Sequence, residues 1–154
     1  ERKLLHEVVR PLSAALYGDD LEVPFAESLD FAYGYIVTYR SGAGDGGDPG
    51  YSPDVPRGRL RIHTDDSEVT LNICIEDAFE GGDLGFRGLR GSEAEQVRGL
   101  ELALRLGRGV LHLGQHLHEV RRVRSGTRRV LILWCRSART YRARCCPCCL
   151  HNRR

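Results

Sequence analysis

The chain has no methionine, a single tryptophan, and only one lysine, Lys3, among its 154 residues. Its positive charge is therefore carried almost wholly by arginine. It also lacks any uninterrupted apolar run near the roughly 20 residues that a bilayer-spanning helix requires, which argues against a helical membrane protein. Nothing at the N-terminus has the basic-then-apolar layout of a secretory signal. A sequence without methionine that opens on Glu1 reads as a domain excised from a longer chain, with any targeting signal outside it. The length suits one domain with a sizeable core. Hydrophobic residues at 41% and charged residues at 29% are ordinary for a globular protein.

Acid is missing from one end. After Glu119 there is no Asp or Glu, while arginines continue from Arg121 to Arg154. A basic end can attract nucleic acid, but this one lacks the interleaved aromatics of a nucleic-acid surface. An arginine-rich composition is the plainer reading, so a nucleic-acid partner is not favoured. Of the six cysteines, four sit in Cys145-Cys146-Pro147-Cys148-Cys149, and Cys74 and Cys135 fall in predicted strands. This is not the spread-out spacing of a disulfide framework. Reduced thiols and an intracellular compartment are expected. The cluster with His151 is a candidate zinc site, although its ligands are packed too closely to complete a tetrahedron unaided.

Apolar residues at Leu4, Leu5, Val8, Val9, Leu12 and Leu16 have helical spacing, with Pro11 as a break or kink. Residues 1–30 are read as a helical support for the core. The aromatic and β-branched run from Phe31 to Tyr39 predicts a strand, with Tyr35, Val37 and Tyr39 on one face. Ser41 to Gly58 is rich in Gly, Asp and Pro and reads as a loop, long enough for a lid. Strand signals return at Arg59–Thr64, Val69–Ile75, Asp83–Phe86, Leu100–Leu106, Val110–Leu113, Gln115–Val120 and Arg128–Cys135. Turns are expected at Asp77–Gly82, Gly107–Gly109 and Arg124–Gly126. Many short strands with Gly-rich turns predict an all-β barrel or sandwich with a flanking helix. Its core spans residues 31–137, followed by an Arg/Cys-rich tail at 138–154.

His63 and Asp65 stand two apart at a predicted strand end, so alternation puts both side chains on one face. With one histidine from a distant strand they form two histidines and a carboxylate on one side of a metal. That donor set leaves coordination positions open and suits non-haem Fe(II), whereas structural zinc closes its shell with four ligands. His112, His116 and His118 share a parity, so strand geometry does not choose among them. A dicarboxylate cosubstrate chooses, because its far carboxylate needs a buried arginine fork. Arg128 follows a predicted tight turn at Ser125-Gly126-Thr127, and such a hairpin would return its strand beside the one carrying His118. His118 as ligand and Arg128 as anchor are therefore preferred over a satisfied core histidine and one more surface arginine.

These residues carry a resemblance. His63-x-Asp65, Thr70-Leu71-Asn72, Phe79-Glu80-Gly81-Gly82-Asp83-Leu84-x-Phe86, His112-x-Gly114, His118 and Ser125-Gly126-x-Arg128 resemble the motif series of Fe(II)/2-oxoglutarate-dependent oxygenases, in the prolyl and lysyl hydroxylase-like branch. The C-terminal Cys146-Pro147-Cys148-Cys149 is similar to plant and animal oxygenase-domain proteins of that family. The combined motif is far more specific than any one piece. The resemblance implies a double-stranded β-helix (jelly roll, cupin-like) with the site at the barrel mouth. It implies iron on His63, Asp65 and His118, and 2-oxoglutarate held by Arg128 and Tyr39, with Asn72 and Thr70 lining the same pocket. It further implies O2 as co-reactant and ascorbate as accessory reductant. The implied substrate is a protein or peptide, hydroxylated at a C–H bond such as that of a lysyl or prolyl side chain. The rival readings are oxidative demethylation within the same family and a non-catalytic metal-binding barrel.

Overall fold

A computed structural model describes residues 1–17, 28–41, 58–76 and 78–139. The N-terminal helix runs as α1 (Arg2–Leu4), a π-helical segment Leu5–Val9, and α2 (Arg10–Tyr17). Pro11 has no N–H to give the carbonyl of Glu7, and the wider π turn just before it accommodates that loss without breaking the helix. The altered phase moves the buried stripe. Leu5, Val9 and Ser13, spaced four apart, are buried, whereas Leu12 and Leu16, expected on the apolar face, are exposed.

Nine strands follow among the described residues: β1 (Phe31–Arg40), β2 (Leu60–His63), β3 (Val69–Cys74), β4 (Phe79–Gly81), β5 (Leu84–Leu89), β6 (Arg98–Leu102), β7 (Gly109–Leu113), β8 (His116–Val120) and β9 (Val123–Arg136). One sheet has the order β1-β9-β3-β7, with β4 also on β9, and the other has the order β2-β8-β5-β6. Every pairing is antiparallel. Consecutive strands alternate between the two sheets through most of the chain, which is the winding of a jelly roll. The mostly antiparallel barrel with one N-terminal helix agrees with the expected fold class.

Alternation sorts the side chains into two cores. Val69, Leu71, Leu133 and Cys135 point outward from the larger sheet and pack with Leu5 and Val9 of the helix and with Leu29. Tyr39, Leu84, Val120, Val123, Val130 and Ile132 fill the space between the sheets. Fully burying a Val or Leu side chain contributes about 1.5–3 kcal/mol, so these cores hold the scaffold on which the site is built.

Two sequence expectations need correction. The stretch Ser125–Thr127 is no hairpin turn but lies inside β9, at the point where that strand changes neighbours. Residues before Thr127 pair with β4 and residues from Thr127 on pair with β1. Gly126 takes φ +74 there, a conformation that suits glycine. Arg128 and His118 consequently lie in opposite sheets, not on adjacent strands. The second concerns Phe79–Gly81, expected within a turn, which is a short strand because β9 offers it a partner.

Candidate metal and dicarboxylate site

His63 is the last residue of β2, and its register partner on β8 is His118. The pairing is irregular between Leu60 and His63. That bulge brings both Leu60 and His63 to the pocket they line, three residues apart, where strict alternation would have chosen Ile62. Asp65 lies beyond the strand end, so strand parity does not orient it. Its backbone N–H donates to the carbonyl of Gly114 at 2.8 Å, which fixes the turn.

The three ligand atoms all lie within 4.8 Å of one another. Nε2 of His63 and Nε2 of His118 are each 3.6 Å from Oδ1 of Asp65, and the two rings are 4.2 Å apart. Each histidine spends its Nδ1 on a backbone carbonyl, Arg61 at 2.8 Å and His116 at 2.9 Å. A carbonyl accepts a proton there, which leaves Nε2 as a lone pair aimed at the cluster. The site thus offers two neutral nitrogens and one carboxylate oxygen from one side, a donor set that fits Fe(II) with positions to spare.

The charges agree. Burial raises the Asp65 carboxyl, but His63, the neighbouring His118 and the hydrogen bond from Thr70 outweigh it and hold Asp65 below the usual range. Burial lowers His63, yet Asp65 and the Arg61 carbonyl more than compensate and keep it above the ordinary histidine value. A metal bound here displaces a proton from His63 whenever that ring is charged. His118 is pushed down, chiefly by burial.

His112 is the residue that parity left undecided. It sits on β7 with Nε2 3.9 Å from Oδ2 of Asp65 and its ring 4.7 Å from that of His118. His116 instead turns to the carbonyl of Arg87. Phe86 stacks on His118 with centroids 5.8 Å apart and fixes the ring plane. Burial and the neighbouring His118 push His112 down to about 4. Its unfolded value of 6.5 is higher, so between the two the unfolded chain binds the extra proton. The corresponding stability is present above pH 6.5 and is lost as pH falls toward 4. The span corresponds to about 3 kcal/mol. We expect the melting temperature of the metal-free protein to fall across that window. In His112→Asn, whose amide can still reach the Leu113 carbonyl, the slope should be shallower. Calorimetry at stepped pH checks this, and an unaltered slope would refute it.

On β9, Arg128 is fully buried, and its Nε, Nη1 and Nη2 find no hydrogen-bond partner among the described residues. It pairs in register with Tyr39, whose ring lies 5.3 Å from the guanidinium carbon. Burial pulls its basicity down. A buried cation left without an anion is costly. Tyr39 and Asn72 line the pocket together with His63, Asp65 and His118. Asn72 also has a buried, unpartnered Oδ1. Thr70, expected beside the cosubstrate, is differently engaged: its hydroxyl donates to Oδ2 of Asp65 at 2.6 Å. Cys145–Cys149, His151 and the glycine-rich loop lie outside the described residues.

Three arginines of the basic end are ion-paired among the described residues. Arg121 pairs with Glu101 and Glu119, Arg129 with Glu76, and Arg136 with Asp66. Among the described residues no helix is long and apolar enough to cross a membrane.

No protein-family model matches the chain. Curated relatives do. The chain is 36% identical over 142 residues to the 2-oxoglutarate and iron-dependent oxygenase domain-containing protein ICU11 of Arabidopsis thaliana, which covers 89% of this chain and 32% of the relative. It is 35% identical over 146 residues to the 2-oxoglutarate and iron-dependent oxygenase domain-containing protein 2 of Danio rerio, covering 94% of this chain and 37% of that one. The chain thus spans about a third of the length of these relatives. Among solved structures, a prolyl 4-hydroxylase from Phytophthora capsici superposes with a TM-score of 0.54 at 17% identity, over 90% of this chain and 43% of that one. At that identity the likeness supports the shared fold.

Proposed function

Because the chain belongs to the 2-oxoglutarate and iron-dependent oxygenase domain family, we propose that it is the catalytic barrel of an oxygenase that hydroxylates a C–H bond of a protein side chain, lysyl or prolyl. In this reading Nε2 of His63, Oδ1 of Asp65 and Nε2 of His118 hold Fe(II). Arg128 receives the far carboxylate of 2-oxoglutarate, with Tyr39 and Asn72 along the cosubstrate's side. When bound, iron and 2-oxoglutarate together supply an O2-dependent oxidation that yields succinate and carbon dioxide and adds oxygen to the substrate.

The observation that carries the reading is the buried, unpartnered Arg128 against Tyr39, which lines the same pocket as two lone-pair histidines and a carboxylate. The protein's work is positional. Backbone carbonyls fix both histidine tautomers, Phe86 fixes a ring plane, and the apolar walls Val37, Leu60, Leu84, Val120 and Ile132 keep water from the cosubstrate. Along β1, the row Tyr39, Val37, Tyr35, Tyr33 and Phe31 runs from the buried arginine to solvent, where Tyr33 and Phe31 are exposed. Such a ladder favours an occupant with a ring or alkyl chain that can stack.

The test is an anaerobic Fe(II) titration with 2-oxoglutarate, following the metal-to-ligand charge-transfer absorption. We expect the band in the parent and its loss in His118→Ala. Folded, iron-loaded parent protein without the band would sink the oxygenase reading.

A further inference from the structure

Asp65 has two oxygens, and the structure treats them differently. Oδ1 faces Nε2 of His63 and Nε2 of His118, both at 3.6 Å. Oδ2 accepts from the Thr70 hydroxyl at 2.6 Å. Thr70 Oγ1 in turn lies 2.7 Å from Ser67 Oγ. A hydroxyl has one proton. Since Thr70 gives its proton to the carboxylate, the Ser67 hydroxyl must be the donor to Thr70. The relay therefore has one direction, from Ser67 through Thr70 to Asp65, and each bond polarises the next toward the negative charge. Ser67, Thr70 and Asp65 are all buried, so water does not compete for these bonds.

The other neighbour of Oδ2 does not replace Thr70. His112 Nε2 stands 3.9 Å away, beyond hydrogen-bond range, and its ring proton is spent on the Leu113 carbonyl at 2.9 Å. Thr70 itself is held from both sides, in register with His112 on β7 and with Trp134 on β9. It sits on the middle strand of the three, whereas the carboxylate it grips is in a loop.

We propose that Thr70, backed by Ser67, is a positioning residue for the metal centre: it occupies Oδ2 so that Asp65 offers Oδ1 alone, as a one-oxygen ligand. The inference rests on the reading of His63, Asp65 and His118 as metal ligands and assigns the Ser67–Thr70 pair a role in that site. A carboxylate free to swing would present either oxygen or both, and the second would take a coordination position that the cosubstrate needs. Outer partners of this kind typically change metal affinity 10–100-fold when removed.

The experiment uses Co(II) alone as probe, added to the metal-free protein. Affinity is read by calorimetry and ligand geometry by the visible d–d absorption. Thr70→Val is expected to weaken Co(II) binding about tenfold and to change the d–d envelope. Thr70→Ser, which restores a hydroxyl, should recover both. Ser67→Ala should move both in the same direction by a smaller amount, and it keeps the test alive if Thr70→Val does not fold. Parent-like affinity and spectrum in Thr70→Val and Ser67→Ala would overturn the proposal while the metal site stands. A parent protein that binds no Co(II) would overturn the metal reading and the proposal with it.

Discussion

Replacing Arg128 with methionine is expected to produce a protein that is more stable than the parent and unable to hold 2-oxoglutarate. The guanidinium is fully buried with every nitrogen unpartnered among the described residues, and the Tyr39 ring is its main electrostatic compensation. Exchanging buried ionic groups for apolar ones of similar volume has stabilised proteins by about 1–4 kcal/mol. In a domain of this size each kcal/mol raises the melting temperature by about 2–4 °C. The side-chain stem is already tightly packed. A Cβ on Gly82 would come within 2.7 Å of Arg128 Cδ, so the linear methionine side chain can follow the same path. Truncating one partner of a buried charge pair costs about 2–5 kcal/mol in binding, which weakens 2-oxoglutarate at least about thirtyfold. Thermal melts with and without 2-oxoglutarate read both effects together. The parent should be stabilised by the dicarboxylate through mass action and the variant should not. Arg128→Lys should also bind poorly, since an ammonium lacks the planar fork. A destabilised Arg128→Met that still responds to 2-oxoglutarate would contradict the role of this side chain.

A second large effect is expected from one methyl group. In Gly114→Ala the new Cβ would collide with the backbone carbonyl of Ser67 and approach Ser67 Oγ to 2.6 Å. The same glycine accepts from the Asp65 N–H at 2.8 Å and donates to the Glu68 carbonyl at 3.0 Å. The loop that presents Asp65 is therefore pinned to Gly114 at both ends and has nowhere to yield. Overpacking of this kind costs about 1–3 kcal/mol, occasionally more, and at about 3 kcal/mol the melting temperature drops by about 6–12 °C. Metal binding should fall as well, because relief requires moving the turn that carries the ligand. Gly107→Ala is the control. Gly107 has φ +75 but open space around it, so only the conformational cost of about 1 kcal/mol applies and metal binding should be untouched. If Gly114→Ala melts with the control and binds metal normally, the pinning argument fails.

The legible part of this structure was what local pattern encodes. Alternation along Phe31–Tyr39 and Val69–Ile75 located strands and their inward rows, and the His63-x-Asp65 pair marked the centre. The illegible part depended on partners distant in sequence. Phe79-Glu80-Gly81 looked like part of a turn because its strand character comes from β9, although Gly81 and Gly82 do take the positive φ expected of them. Ser125-Gly126-Thr127 looked like a reversal because small residues suit turns equally well, while Gly126 instead passes β9 from one neighbour to another. The strand of Arg128 was placed beside that of His118 for that reason, although β9 and β8 lie in opposite sheets. The bond from Thr70 to Asp65 was not foreseen, because parity locates a hydroxyl but not the acceptor it meets. The helix erred through Pro11, since a π turn rotates every later residue and carries Leu12 and Leu16 out to solvent.

The pairing of β1 with β9 also has a consequence for the order of events on the ribosome. Phe31 is matched to Arg136 and Tyr39 to Arg128, so the first described strand waits for the last described one. At about 5–20 residues per second, β1 emerges several seconds before its partner exists. During that interval its aromatic row is an unpaired edge, the kind of surface that recruits other strands. His63, Asp65 and His118 are all translated before Arg128, but β3, whose Thr70 holds Asp65, has no β9 to pair with until then. The larger sheet is thus completed only when β9 joins β1, β3 and β4.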